Sequence, residues 1–148
     1  MSARPPAPPG GASSHLTLPH RVVWERAVEL AAQVFRFTST QASREQALCE
    51  PLRAAALAVP ATLARSFVTN AGRRTLDGLL AALTSLAEVE SHLAVAGHLT
   101  LCPPPELQRL RRALEVLRRM ILALALRVRQ PQARSAPQRH LDSPVPIR

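Results

Sequence analysis

The chain has 148 residues and 16.1 kDa, and 47% of its residues are hydrophobic, so it fits a single domain with a packed core. Five glycines and no tyrosine argue against an all-β sandwich, whose many short strands need turn residues and β-formers. Alanine and leucine favour helix, and a net charge of +9 favours acidic partners. No run of 18 apolar residues occurs, so no segment is expected to span a membrane.

Arginine is the basic residue throughout, and lysine is absent. Two explanations compete. The guanidinium fork matches phosphate oxygens, which would suit a nucleic acid. A GC-rich genome would instead raise arginine, alanine and proline together, and the 14 prolines agree with that explanation.

The cysteines and histidines give no sign of a metal or redox site. Cys49 and Cys102 form no CxxC pair, and no hydrophobic signal segment follows the N-terminus. Free thiols in a reducing cytoplasm are therefore expected. His92 and His98 are six residues apart and do not share one helical face as an i, i+4 pair would, so no metal or other cofactor is expected.

Both ends of the chain differ in composition from its middle. Proline, glycine and serine are abundant in residues 1–19, and residues 130–148 are similar, so both are expected to be disordered tails. The folded domain is expected over residues 20–129.

Two amphipathic helices are predicted in the first half of this domain. The first covers about residues 20–37 and the second about residues 43–67. The polar residues 38–43 are predicted to connect them. A Ser-x-x-Gln capping box at Ser43 would start the second helix. The predicted inward-facing residues are Val23, Ala27, Leu30, Val34 and Phe37, then Leu48, Leu52, Ala55, Val59 and Leu63.

A third helix is predicted over about residues 75–97, after a loop that carries Arg73 and Arg74. Its leucines form an apolar arc, and Glu90 falls inside that arc. A carboxylate there either pairs with an arginine or reaches solvent at the edge of the arc.

The fourth helix, about residues 104–129, has the clearest pattern. Its apolar residues recur at spacings of three and four through three heptads, the seam of a bundle or coiled coil. Seven arginines against two glutamates give this helix a charge of +5. The seam residues are Leu107, Leu110, Leu114, Leu117, Ile121, Leu124 and Val128.

Four such helices with short links predict an all-α fold, an antiparallel up-down-up-down four-helix bundle. Leu122 and Leu126 point about 100–150° away from the seam of the fourth helix. They indicate a self-association surface, or else a helix buried on two sides or scattered surface leucines.

The arginines of the fourth helix have three explanations: a solvated face, ion pairs with a neighbouring subunit, or a phosphate-binding stripe. The nucleic-acid-binding residues predicted under the third are Arg73, Arg74, Arg109, Arg112, Arg119 and Arg127. At most Phe67 of the aromatic residues is expected to be free, so binding would use the phosphate backbone rather than base stacking.

No catalytic motif is present: the chain lacks a GxSxG elbow, a glycine-rich phosphate loop and HExxH. We therefore expect no enzymatic activity. A pure protein-interaction scaffold, whose arginines keep it soluble or pair with a partner's acids, is the alternative to nucleic-acid binding.

Four segments together resemble a known family. They match, in order, the family patterns VWQKAxEL, LRRAAxSIPANIAEG, GSLAELETxL and xRMLxxLI. This chain has Arg65 where the family pattern has glutamate and Ala54 where it has the second arginine. The segments are residues 23–30 (VWERAVEL), 52–61 (LRAAALAVPA), 85–93 (SLAEVESHL) and 118–124 (RRMILAL).

The family comprises bacterial four-helix-bundle proteins encoded in intervening sequences of large-subunit ribosomal RNA genes. They are similar to the accessory variability proteins of diversity-generating retroelements. The resemblance implies a ring-like homopentamer with a basic surface and no enzymatic activity. It also implies binding of RNA or DNA, with a reverse transcriptase as a partner in the retroelement relatives.

Overall fold

A computed structural model of the chain describes residues 16–41, 45–68 and 72–130. Helix α1 spans Leu18–Gln41, α2 Gln46–Val68, α3 Gly72–His98 and α4 Pro104–Arg129, and the described ranges contain no strand. In these ranges, α1 and α3 each pack against both α2 and α4. Successive helices run in opposite directions, so the predicted all-α four-helix bundle is confirmed. Most of the two predicted tails lies outside the described residues.

One core runs through the bundle, built from leucine, valine and alanine of all four helices. The predicted seam of α4 lies in this core, with Val128 at its end only partly buried. The largest side chains that are almost wholly buried are Leu30, Val34, Leu52, Val59, Leu63, Leu79, Leu86, Val89, Leu93, Leu114, Leu117 and Ile121.

Helix α1 is longer than the sequence predicted, because residues 38–41 continue the helix. Thr38 is buried, and its hydroxyl donates a hydrogen bond to the Val34 carbonyl at 2.9 Å. Arg53 Nε of α2 donates to that hydroxyl at 2.6 Å, and the Arg53 guanidinium lies 5.3 Å from the centre of the Phe35 ring. A polar residue thus satisfies its hydrogen bonds inside the helix, where the sequence suggested a connection.

The other helix limits differ less from the prediction. Helix α2 stays helical across Pro51 and Pro60, α3 begins at Gly72, and α4 has the predicted bounds. Ser43 of the predicted capping box lies outside the described residues. Thr100, in the link between α3 and α4, has a positive φ of 50°, which is uncommon for a residue other than glycine.

The sequence allows at most Phe67 of the aromatic residues to be free, and the structure places Phe67 in the core as well. Phe67 is buried, and its ring stacks on that of His20 with centroids 4.3 Å apart and planes 5° from parallel. This contact joins the beginning of α1 to the end of α2. Burial lowers the pKa of His20 below its ordinary value of 6.5, because it disfavours the charged imidazolium.

Helices α2 and α3 are long and apolar enough to cross a membrane, by length and composition alone. Neither helix has an unbroken run of 18 apolar residues, but a membrane span tolerates occasional polar residues. Core helices of soluble proteins can be equally long and apolar. In this fold the leucines of these helices that are almost wholly buried face the shared core. They are Leu52, Leu63, Leu79, Leu86 and Leu93.

Helices α2 and α3 approach closely where Ser66 faces Gly78. A Cβ atom added at Gly78 would lie 2.6 Å from the Cβ of Ser66 and closer still to its hydroxyl oxygen. The Ser66 hydroxyl donates to the Thr62 carbonyl, and Thr75 Oγ1 donates to the Ser66 carbonyl at 3.3 Å. Glycine at position 78 therefore sets the spacing between the two helices.

We expect Gly78→Ala to lower the free energy of unfolding by about 1–3 kcal/mol, because the added methyl group overpacks this contact. Ser66→Gly in the same chain should restore most of the loss, since it removes the atoms that the methyl group meets. Urea unfolding of both single variants and the double variant measures the coupling. Simple additivity of the two effects would contradict the contact.

The lowered pKa of His20 predicts a stability that falls on acidification. Above the unfolded pKa of about 6.5, His20 is neutral in both states and contributes no pH dependence. Below it the unfolded chain takes up the proton first, so the free energy of unfolding decreases until the lower folded pKa is passed. His20→Phe keeps a ring against Phe67 and should flatten this part of the Tm–pH curve. Parallel curves for the two proteins would disprove the assignment.

Candidate nucleic-acid interface

All six arginines predicted to bind nucleic acid are exposed. Arg109, Arg112, Arg119 and Arg127 lie on α4. Arg73 and Arg74 belong to the first turn of α3, not to a loop as the sequence suggested. The structure therefore brings the six residues to two places, the surface of α4 and the start of α3.

Three of the α4 arginines line shallow hollows between α1 and α4. Arg109 shares one hollow with Arg36 and Glu106. Arg112 shares the next with Arg26 and Glu29. Arg127 lies at the edge of an apolar hollow formed with Leu18, Val22 and Met120. The side of α4 that faces α1 is therefore basic, but two of its arginines have a carboxylate in the same hollow.

Arg119 is neutralised within its own helix. Its Nε lies 3.0 Å from Glu115 Oε1, although the arginine side chain is 76% exposed. An exposed pair of this kind contributes about 1 kcal/mol or less, so a phosphate could displace the carboxylate. Arg119 is thus the one predicted residue with an ion pair among the described residues, and that pair is weak enough to leave it accessible.

Glu90, which falls within the predicted apolar arc of α3, pairs with Arg118 of α4. Arg118 also contacts Glu115 at 3.1 Å and is half-buried, whereas Glu90 is exposed. Both alternatives considered from the sequence therefore apply, because the carboxylate lies at the edge of the arc and also has an arginine partner. The pair connects α3 to α4 and leaves Arg118 little freedom to bind a ligand.

Leu122 and Leu126 lie on the surface, with 44% and 62% of each residue exposed. A helix buried on two sides within one chain is thereby excluded. Other large apolar residues are exposed to a similar degree, among them Leu57 of α2 and Leu80 of α3. The two α4 leucines are therefore available for a contact with another molecule.

Sequence reasoning missed Arg65 and Arg129, which are exposed at the end of α2 and the end of α4. Both lie at the end of the bundle where α3 begins with Arg73 and Arg74. The antiparallel order of the helices, once predicted, was the signal that could have grouped them.

The described residues include no group of three histidine, cysteine, aspartate or glutamate side chains that could hold a metal ion. Both cysteines are free thiols. Burial and the nearby Glu106 raise the pKa of Cys102 above 9.0, so this thiol is a weak nucleophile at neutral pH.

The fold agrees with a comparison to known families. The profile of the family described as 23S rRNA-intervening sequence protein matches residues 20–123, which is well over half of the chain and nearly all of the bundle. No curated protein matches the chain. By this match, the chain belongs to the 23S rRNA-intervening sequence protein family.

Proposed function

We propose that this protein is a non-enzymatic, homo-oligomeric scaffold that binds RNA or DNA through the phosphate backbone. The observation that carries the proposal is the exposure of all six predicted arginines on a bundle whose arginines outnumber its carboxylates. Membership of a family named for an intervening sequence of ribosomal RNA is compatible with this role. Guanidinium groups suit phosphate because they can donate two parallel hydrogen bonds.

The aromatic residues favour backbone contacts over base contacts. The chain has four residues of this kind, one tryptophan and three phenylalanines. Phe37 and Phe67 are buried, while Trp24 and Phe35 are partly buried. No exposed ring offers a platform for stacking on unpaired bases, so the expected binding is strongly salt-dependent and reads little sequence.

Self-association is the second part of the proposal. Leu122 and Leu126 are one helical turn apart on an arginine-rich surface and would form the contact between subunits. A homopentamer, and a reverse transcriptase as a partner, are suggested by the resemblance to the retroelement accessory proteins. We also propose that the protein is cytoplasmic and has no membrane partner.

A protein-interaction scaffold without a nucleic-acid role is the competing function. Exposed leucines and valines on α2 and α3, among them Leu57, Leu80 and Val95, favour it. In that case the arginines would serve solubility or pair with acidic groups of a protein partner.

A salt titration of the wild-type protein separates the two functions. We expect affinity for a structured RNA and for a duplex DNA to fall steeply with salt. The logarithmic slope should be roughly −4 to −5 if four to six phosphates are contacted. Fluorescence anisotropy between low and physiological salt measures this slope. Lack of binding even at low salt would disprove the nucleic-acid role and favour the protein scaffold.

The oligomer contact has a direct test by particle mass. Leu122→Glu with Leu126→Glu should yield a smaller particle with unchanged helicity, because charged side chains cannot be buried in an apolar contact. Leu57→Glu with Leu80→Glu is a matched control, since these leucines are 51% and 50% exposed on other helices. Light scattering that finds the wild-type mass for the α4 variant would remove this interface.

A further inference from the structure

The positive charge of the described residues is concentrated at one end of the bundle. We call this end, where α1 and α3 begin and α2 and α4 end, the basic pole. The stacked rings of His20 and Phe67 join α1 to α2 there. Thr75 bonds to the Ser66 carbonyl and so joins α3 to α2. Leu18 and Arg127 line one hollow, which places the end of α4 beside the start of α1.

The basic pole holds six arginines and two carboxylates, Glu25 and Asp77. Of these, Arg21 and Glu25 pair with each other at 2.8 Å. The middle of the bundle has four arginines and four carboxylates, and the opposite end has four and three. The pole therefore carries nearly all the net charge of the described residues. Its arginines are Arg21, Arg65, Arg73, Arg74, Arg127 and Arg129.

Because salt screens charges over short distances, the distribution of charge along the bundle determines where a polyanion binds. Helix α3, with 27 residues, is about 40 Å long at 1.5 Å per residue. The Debye length at physiological ionic strength is about 8 Å. A polyanion at one end therefore responds to the charges of that end and hardly to the net charge of the whole molecule.

We propose that the basic pole is the primary phosphate-binding surface of this protein, and that its ligand is the backbone of a double-helical nucleic-acid segment. This inference rests on the proposed function and adds Arg65 and Arg129 to the predicted residues. It ranks the pole above the side of α4 that faces α1.

The size of the pole fits such a ligand. Neighbouring helices pack about 8–10 Å apart, so with their side chains the pole arginines cover roughly 20 Å. A duplex carries one negative charge per about 1.7 Å of axis, so it presents roughly a dozen charges over that length. Of the aromatic side chains near the pole, Phe67 is buried and Trp24 is partly buried, which favours phosphates rather than bases as the groups to contact.

The side of α4 is a weaker ligand surface, because carboxylates accompany its arginines. Glu106 shares the hollow of Arg109, and Glu29 shares that of Arg112. A phosphate approaching either guanidinium also approaches a negative group. At the pole, Asp77 lies one helical turn from Arg73 and Arg74, but six arginines there face only two carboxylates.

Two pairs of substitutions that remove the same charge test the inference. In the full chain, Arg73→Gln with Arg74→Gln changes the pole, and Arg109→Gln with Arg112→Gln changes the side of α4. Arg26→Gln with Arg36→Gln on α1 is a third protein of equal net charge. The probe is a fluorescent 24-base-pair RNA duplex, with its DNA counterpart as a second ligand.

We expect the pole variant to lose about 10- to 30-fold in affinity near 0.15 M salt, with a slope smaller by roughly 1.8, the value for two lost phosphate contacts. The other two variants should lose less than about threefold. Arg65→Gln with Arg129→Gln should reproduce the loss, which covers the case that the first variant folds poorly.

An equal or larger loss for the α4-side variant would overturn the inference and leave the proposed function standing. An equal loss for the α1 variant would also overturn it, because the side shared by α1 and α4, or net charge alone, would then account for binding. A wild-type protein that binds neither duplex at low salt would instead overturn the proposed function and the inference with it.

Discussion

The apolar seam of α4 constrains where every other residue of that helix can lie. Its leucines and Ile121 face the core, so the arginines must occupy the remaining arc. Helical periodicity then divides them between two neighbours. Arg118 lies on the side of α3, where Glu90 meets it, while Arg109 and Arg112 lie on the side of α1. The charge pattern of the surface thus follows from the burial of the seam.

A feature of the fold could be predicted from the sequence where the residues that determine it lie close together in the chain. The limits of α4 were correct because a proline start and a regular heptad lie in one stretch of sequence. The end of α1 was wrong because Thr38 is accommodated by Arg53, a residue of the next helix. The burial of Phe67 was not predicted, because its cover, His20, lies far away in sequence. Neither contact has a periodic signal.

The candidate site likewise contains features that local sequence patterns predict and features that only the topology of the bundle creates. Exposure of the four α4 arginines followed from the helical pattern, whereas Arg73 and Arg74 were predicted to be exposed in a loop and lie in the first turn of α3. The pairing of Arg119 with Glu115 is an i, i+4 contact that the sequence already allows. The basic pole is different, because Arg65 and Arg129 come from helices that are distant in sequence and meet only through the antiparallel order of the bundle. Local patterns predict which residues are exposed, whereas topology decides which of them share a surface.

The distribution of arginine bears on its origin. A biased codon usage acts on all positions alike and would enrich arginine without regard to its place in the fold. In the middle of the bundle arginines and carboxylates are equal in number, as in the pair of Arg26 with Glu29. At the basic pole, Arg73 and Arg74 stand next to each other in one helical turn, and neither forms an ion pair with a carboxylate among the described residues. Codon usage can supply the residue type, but a phosphate ligand would be the reason to keep such a local excess.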